Sequence, residues 1–236
     1  MFDRPHHRRI ARVLEALDGE RLRELQCWFG GGTAIALLHG EYRESVDIDF
    51  LTSNLDGYRE LRQLLRDGST RFSLVRQGAP SVALERPIRT DQYGIRTMLL
   101  VDDVPIKFEI VLEGRIQLAV PGTSDALCGV PTLTALDLAA SKLLANADRW
   151  RDDSVFGRDA LDLAMMDMPP RRLRPAIEKA AGAYGDSVMK SMRLAIDGFR
   201  ARPGWLLRCT RALSITVPAG VVQQKLRALD RRLRSI

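Results

Sequence analysis

Apolar residues recur every three or four positions over residues 3–26. Ile10, Val13, Leu14, Leu17, Leu22 and Leu25 mark one face of a helix with a weak point at Gly19. Cys27-Trp28-Phe29 is a short apolar run that Gly30-Gly31-Gly32 ends, and residues 33–39 form an apolar helix closed by Gly40. Residues 46–51 alternate, as a strand does, and put Val46, Ile48 and Phe50 toward a core. A helix over 58–66 turns Leu61, Leu64 and Leu65 inward. Strand-like runs follow at 72–76, 81–85 and 95–101, the last joined to 104–112 as a hairpin across Asp102-Asp103. From residue 132 the period becomes helical, with segments at 132–149, 158–166, 171–183, 186–200, 204–213 and 219–233, the second stopped by Pro169-Pro170. The pattern predicts an α+β chain: a mixed-sheet domain over 1–125 and a helical bundle over 126–236, divided where Pro and Gly cluster.

Alternation gives the strand at 46–51 a second property. Asp47 and Asp49 point to the same side, and like-charged carboxylates a strand-step apart repel unless a cation lies between them. Hard divalent cations want such oxygen ligands. Upstream, Gly31-Gly32-Thr33 opens a helix, where backbone N–H groups can cradle a phosphate. In the run 104–112, Lys107 and Glu109 share a face. If that strand neighbours the first, Glu109 becomes a third acid able to help hold two Mg²⁺ ions. Bland alternatives stand beside each reading: a tight turn, a solvated face, and a surface partner for Lys107.

Charge adds a contrast between the halves. The chain carries 36 Lys and Arg against 30 Asp and Glu, for a net +6. Up to Ala139 there are 17 basic and 20 acidic residues; from Ala140 there are 19 and 10. A basic half suggests a polyanionic partner. Candidate contacts are Arg149, Arg171, Arg172, Arg174, Arg208, Arg211, Arg231, Arg232 and Arg234. The aromatic residues there are few, which favours recognition by backbone over base stacking. Three scattered cysteines and no long apolar run are expected of a reduced, cytoplasmic chain without a membrane segment.

Gly31-Gly32-Thr33-Ala34, then Arg43-Glu-Ser45-Val-Asp47-Ile-Asp49-Phe50, resembles the nucleotidyltransferase domain of the AbiEii/AbiGii-type abortive-infection toxins, within the DNA polymerase β-like superfamily. A second stretch is similar too: Ala140-Ser-Lys142-Leu-Leu-Ala145, Arg149, and Arg158-Asp159-Ala-Leu-Asp162-Leu163. The resemblance implies transfer of a nucleoside monophosphate from an NTP to an acceptor, with the tRNA 3′ end as that acceptor in related toxins. It implies Mg²⁺ on Asp47 and Asp49, and a nucleotide site at Gly31, Gly32, Thr33, Arg43 and Ser45. Lys142 would face the triphosphate, and Asp159 would be a further essential acid. It also implies a separately encoded antitoxin. Other readings of the same residues are a transferase acting on a protein or small molecule, and a decayed nucleic-acid-binding module. Lys142 can equally snorkel at a helix edge, Arg149 can simply end its helix, and Asp162 reads as an acid favoured in a first helical turn.

Overall fold

The structure is a computed structural model and describes residues 2–66 and 72–236. Two compact units make up the chain: Met1–Leu38 with Ser45–Thr134, and His39–Glu44 with Ala135–Ile236. The division falls at 134/135, nine residues beyond the 125/126 read from the sequence. Thr132 bridges to Phe29, and the Leu133 N–H donates to the Phe29 carbonyl at 2.9 Å, so this stretch stays with the first unit. For the same reason the helix expected from 132 starts at Ala135.

In the first unit, the helix expected over 3–26 is two helices, α1 (Pro5–Ala16) and α2 (Gly19–Glu24). The break comes at Leu17-Asp18. The Asp18 carboxylate accepts the Arg21 N–H at 2.9 Å and caps α2, and its own N–H donates to the Leu74 carbonyl. Strand β1 (Trp28–Gly30) runs straight into α3 (Gly31–Leu38). Then come β2 (Ile48–Thr52) and α4 (Leu55–Arg66). The expected strand at 72–76 is mostly turn, with one bridge from Val75 to Leu17, and 81–85 shrinks to β3 (Ala83–Leu84). After β4 (Arg89–Thr90), the long hairpin β5 (Gly94–Val101) and β6 (Val104–Leu112) forms as the alternation predicts.

The sheet order is β1-β2-β6-β5-β3, with β4 also on β5; β2 and β6 are parallel and the other pairs antiparallel. One face is apolar. Phe29, Phe50 and Phe108 form a row with ring centroids 5.5 and 5.6 Å apart, and Phe72 meets Phe108 edge-on at 4.8 Å. The opposite face carries one polar rung, because Gly30 pairs with Asp49, Asp49 with Glu109, and Glu109 with Arg96. The unit also has a small hairpin, β7 (Ala126–Leu127) and β8 (Val130–Pro131).

The second unit is helical: α5 (Ala135–Arg149), α6 (Arg158–Met166), α7 (Pro170–Tyr184), α8 (Ser187–Ala201), α9 (Trp205–Ala212) and α10 (Ala219–Arg234). Helix α5 is its centre and packs on α6, α7 and α8. Leu138, Ala139, Ala140, Leu143 and Leu144 are buried on it, each leucine contributing about 1.5–3 kcal/mol by leaving water. Among the described residues no helix is long and apolar enough to cross a membrane. The architecture is α+β, as the periodicity implies.

Candidate active site

In the first unit the site begins where β1 meets α3. Gly31 has φ +70°, and a Cβ there would lie 2.5 Å from Asp49 Oδ2. Only glycine allows the Asp49 carboxylate to rest against the first residue of α3. That places the acid beside the positive end of a helix, where negative charge is favoured.

Asp47 lies just before β2, so its position depends on the turn rather than on strand pairing. The same displacement leaves Val46 48% exposed instead of in the core, a correction to the expected alternation. Three side chains fix this turn. Thr33 Oγ1 donates to the Asp47 carbonyl at 2.6 Å and lies 2.8 Å from Ser45 Oγ. His7 is fully buried, and its Nε2 accepts the Ser45 N–H at 3.1 Å. That bond requires a neutral ring with the proton on Nδ1. His6 Nε2 lies 3.0 Å from the Val46 carbonyl, to which it can donate. Neither histidine is among the candidate residues named from the sequence. Their one sequence signal is that His7 falls on the face of α1 that carries Ile10 and Leu14.

Glu109, expected to join the metal ligands, is held otherwise. One oxygen is 2.6 Å from Arg96 Nε and the other 2.6 Å from Lys107 Nζ. Burial pushes its carboxyl up, but these two cations outweigh that and keep it below its usual value. Lys107 in turn loses solvent, yet Glu109, Asp49 and Asp47 hold its ammonium charged. Among the described residues no cluster of three or more His, Cys, Asp or Glu is arranged to hold a metal ion. The donors that fit a hard divalent cation are therefore Asp47 and Asp49, set against a helix N-terminus and bordered by Lys107.

The second unit contains a buried ionic network built on Asp162. Arg43 Nε and Nη2 reach its two oxygens at 2.7 and 2.9 Å, Lys142 Nζ lies 2.6 Å away, and the Tyr42 hydroxyl donates to it. Lys142 also bonds Asp159 at 2.9 Å, and Arg149 grips Asp159 twice, at 2.7 and 2.9 Å. Burial raises the Asp162 carboxyl, but Arg43 and Lys142 override it and hold the group far below the ordinary carboxylate range. Asp162 is thus the hub of the network and more than the first-turn acid read from the sequence. Arg43, expected in the nucleotide site, and Lys142, expected toward the triphosphate, both have carboxylate partners here. Arg149 belongs to this network too.

The remaining candidate cations lie on α7, α9 and α10. Arg171, Arg172, Arg211 and Arg231 are exposed. Arg232 pairs with Asp167 and Arg234 with Asp230, while Arg174 donates to the Ile236 carbonyl and Arg208 lies 5.7 Å over the Trp205 ring.

Comparison with known proteins places these features. No curated protein matches the chain. Two Helicobacter pylori crystal structures are similar at 16% identity. One is JHP933, with all of this chain and 99% of that one covered at a TM-score of 0.43. The other is a candidate nucleotidyltransferase, with 95% and 96% covered at 0.37. The model of one family, described as nucleotidyl transferase AbiEii toxin, type IV TA system, matches residues 12–226. That span takes in the Gly31 turn, Asp47 and Asp49 and the whole Asp162 network, and the chain belongs to the AbiEii nucleotidyl transferase toxin family of type IV toxin–antitoxin systems.

Proposed function

We propose that this chain is a Mg²⁺-dependent nucleotidyltransferase that moves a nucleoside monophosphate from an NTP to the 3′ end of tRNA, as a toxin restrained by a separate antitoxin. The family supports transferase chemistry. The observation that carries the reading to particular residues is the Asp49 carboxylate seated against Gly31, with Asp47 fixed beside it by Thr33.

In this reading Asp47 and Asp49 hold the metal. When bound, Mg²⁺ supplies positive charge that stabilises the phosphate oxygens in the transition state. The N–H groups of Gly31, Gly32 and Thr33 bind a phosphate of the NTP, with Ser45 alongside. The acceptor hydroxyl oxygen forms a bond to the α-phosphorus in line, the α–β bridging bond breaks, pyrophosphate leaves, and the hydroxyl proton passes to solvent. Lys107 adds a fixed cation near the acids and holds Glu109 in an ion pair. Lys142 and Asp159 serve by holding their helices in register; for Lys142 to meet a phosphate it would have to leave a carboxylate. The basic excess after residue 140 supports a polyanionic acceptor.

The test incubates the protein with Mg²⁺, each α-labelled NTP in turn and total tRNA, then resolves the RNA on a denaturing gel. Label on RNA that falls by at least about 100-fold in Asp47→Ala is the expected result, given the several kcal/mol a metal site supplies. Label on a protein or a small product instead of RNA would overturn the acceptor. Undiminished transfer by Asp47→Ala would overturn the site.

A further inference from the structure

The helical unit has few aromatic side chains, yet the fold collects most of them in one place. Trp150, Phe199 and Trp205 line a cavity of about 230 Å³ formed by the α5–α6 connection, α8 and α9, and Phe156 backs Trp205. The Phe156 and Trp205 rings stack at 6.4 Å and 29°. The Arg202 guanidinium lies 4.0 Å over the Trp205 ring. It is also clamped by both oxygens of Asp153, at 2.7 and 2.6 Å.

Each of these features suits one kind of guest. A guanidinium held flat on an indole and locked by a bidentate carboxylate has already lost its rotamer freedom, so a ring stacking on it costs little further order. Aromatic faces and arginine planes are what proteins use to hold unpaired bases. The volume lies below the range typical of drug-sized ligands, leaving room for a single base and excluding a duplex. Arg151 and Arg208 stand close by, each over a tryptophan ring, at 5.0 and 5.7 Å. A phosphate backbone entering here would meet Arg151 and Arg208, although Asp153 neutralises Arg202 and Asp152 also lines the cavity. A protein segment would gain less from this charge, and an apolar one would gain nothing.

We infer that this pocket binds one unpaired base of a single-stranded RNA end. The inference rests on the reading that the acceptor is RNA, and it assigns the acceptor a foothold on the helical unit.

Gly198 makes the test clean. It lines the pocket from α8, and a Cβ added to it would meet nothing within 4 Å. A larger side chain there fills the cavity without displacing the core, and leucine is a better helix former than glycine. The experiment measures binding of a labelled RNA hairpin with an unpaired 3′ tail, and of the same hairpin made blunt, by fluorescence anisotropy without NTP or Mg²⁺. Gly198→Leu and Trp150→Ala are compared with the wild type, and thermal melts report folding. The wild type should prefer the tailed hairpin. Both variants should lose about tenfold in affinity for it and approach the blunt value. Should Trp150→Ala melt early, Gly198→Leu decides. Tailed-RNA affinity unchanged in Gly198→Leu would overturn the inference, as would loss of a protein partner with RNA binding intact. Asp47→Ala separates the two readings. If the pocket holds and the transferase reading fails, Asp47→Ala still binds the tail while transferring like the wild type. If only the pocket fails, Gly198→Leu binds and transfers like the wild type while Asp47→Ala does not transfer.

Discussion

Asp162 carries more of this chain than any other acid. Its carboxylate sits among Arg43, Lys142 and the Tyr42 hydroxyl with no access to solvent. Asp162→Ala would strand the buried Arg43 and leave Lys142 with Asp159 alone, so a loss of about 3–5 kcal/mol in chemical denaturation is expected. A loss under about 1 kcal/mol would mean the network relaxes freely. The pH dependence has a definite sign. The folded carboxyl titrates below its unfolded value of about 3.9, so its contribution is present above that pH and is lost as pH falls toward the folded value. Asp162→Asn should be less stable at neutral pH and should lack this acid-side decline. His7 supports a different prediction, because its ring accepts the Ser45 N–H beside the proposed nucleotide site. His7→Gln can still offer an acceptor and should keep most transfer activity, whereas His7→Ala should lower kcat more than it raises KM. Equal behaviour of the two variants would deny His7 a positioning role. A pairing of Lys142 with one of these acids was legible in the sequence, but the Arg43 partner was not. Arg43 and Asp162 are 119 positions apart, and only the folded chain brings them together.

The join of β1 and α3 is the most demanding piece of local structure. Gly31→Ala must place a side chain at φ +70° and push it into Asp49. About 1–2 kcal/mol of stability should go to backbone strain, but nucleotide transfer should fall by much more, since the displaced group is a proposed metal ligand. Transfer that fell only in proportion to stability would show that Asp49 has no special position. Much of this region was legible beforehand. The glycine turn and the β5–β6 hairpin follow from period and turn chemistry, and so do the helices from α5 onward. What failed depended on neighbours. Val46 was expected inside, but pairing to β1 and β6 begins only at Ile48. Glu109 was expected to join the acids if its strand neighboured β2, and β6 does pair it with Asp49. Its ion pair with Arg96 is set by the register of β5, which no single strand encodes. The run at 72–76 has strand-like residues and yet makes one bridge, since the backbone there spends a carbonyl on Asp18.

The halves of the chain differ in charge as well as in architecture, and the helical half holds the excess. RNA binding should therefore weaken by at least about tenfold between 50 and 200 mM salt, as counterion release requires for a few phosphate contacts. Flat affinity across that range would remove the polyanion from the proposed function and leave a protein or small molecule as acceptor. The central claim is narrower than the identity of the acceptor: Asp47 and Asp49 form a divalent-cation site for a nucleotide at the start of α3. The measurement that decides it is calorimetric titration of NTP into the intact protein, with Mg²⁺ and with chelator, for wild type and Asp49→Asn. Binding should need Mg²⁺ and should weaken by at least about tenfold in Asp49→Asn, a loss of about 1.4 kcal/mol or more. Equal binding by the two proteins, or binding indifferent to Mg²⁺, would contradict the site.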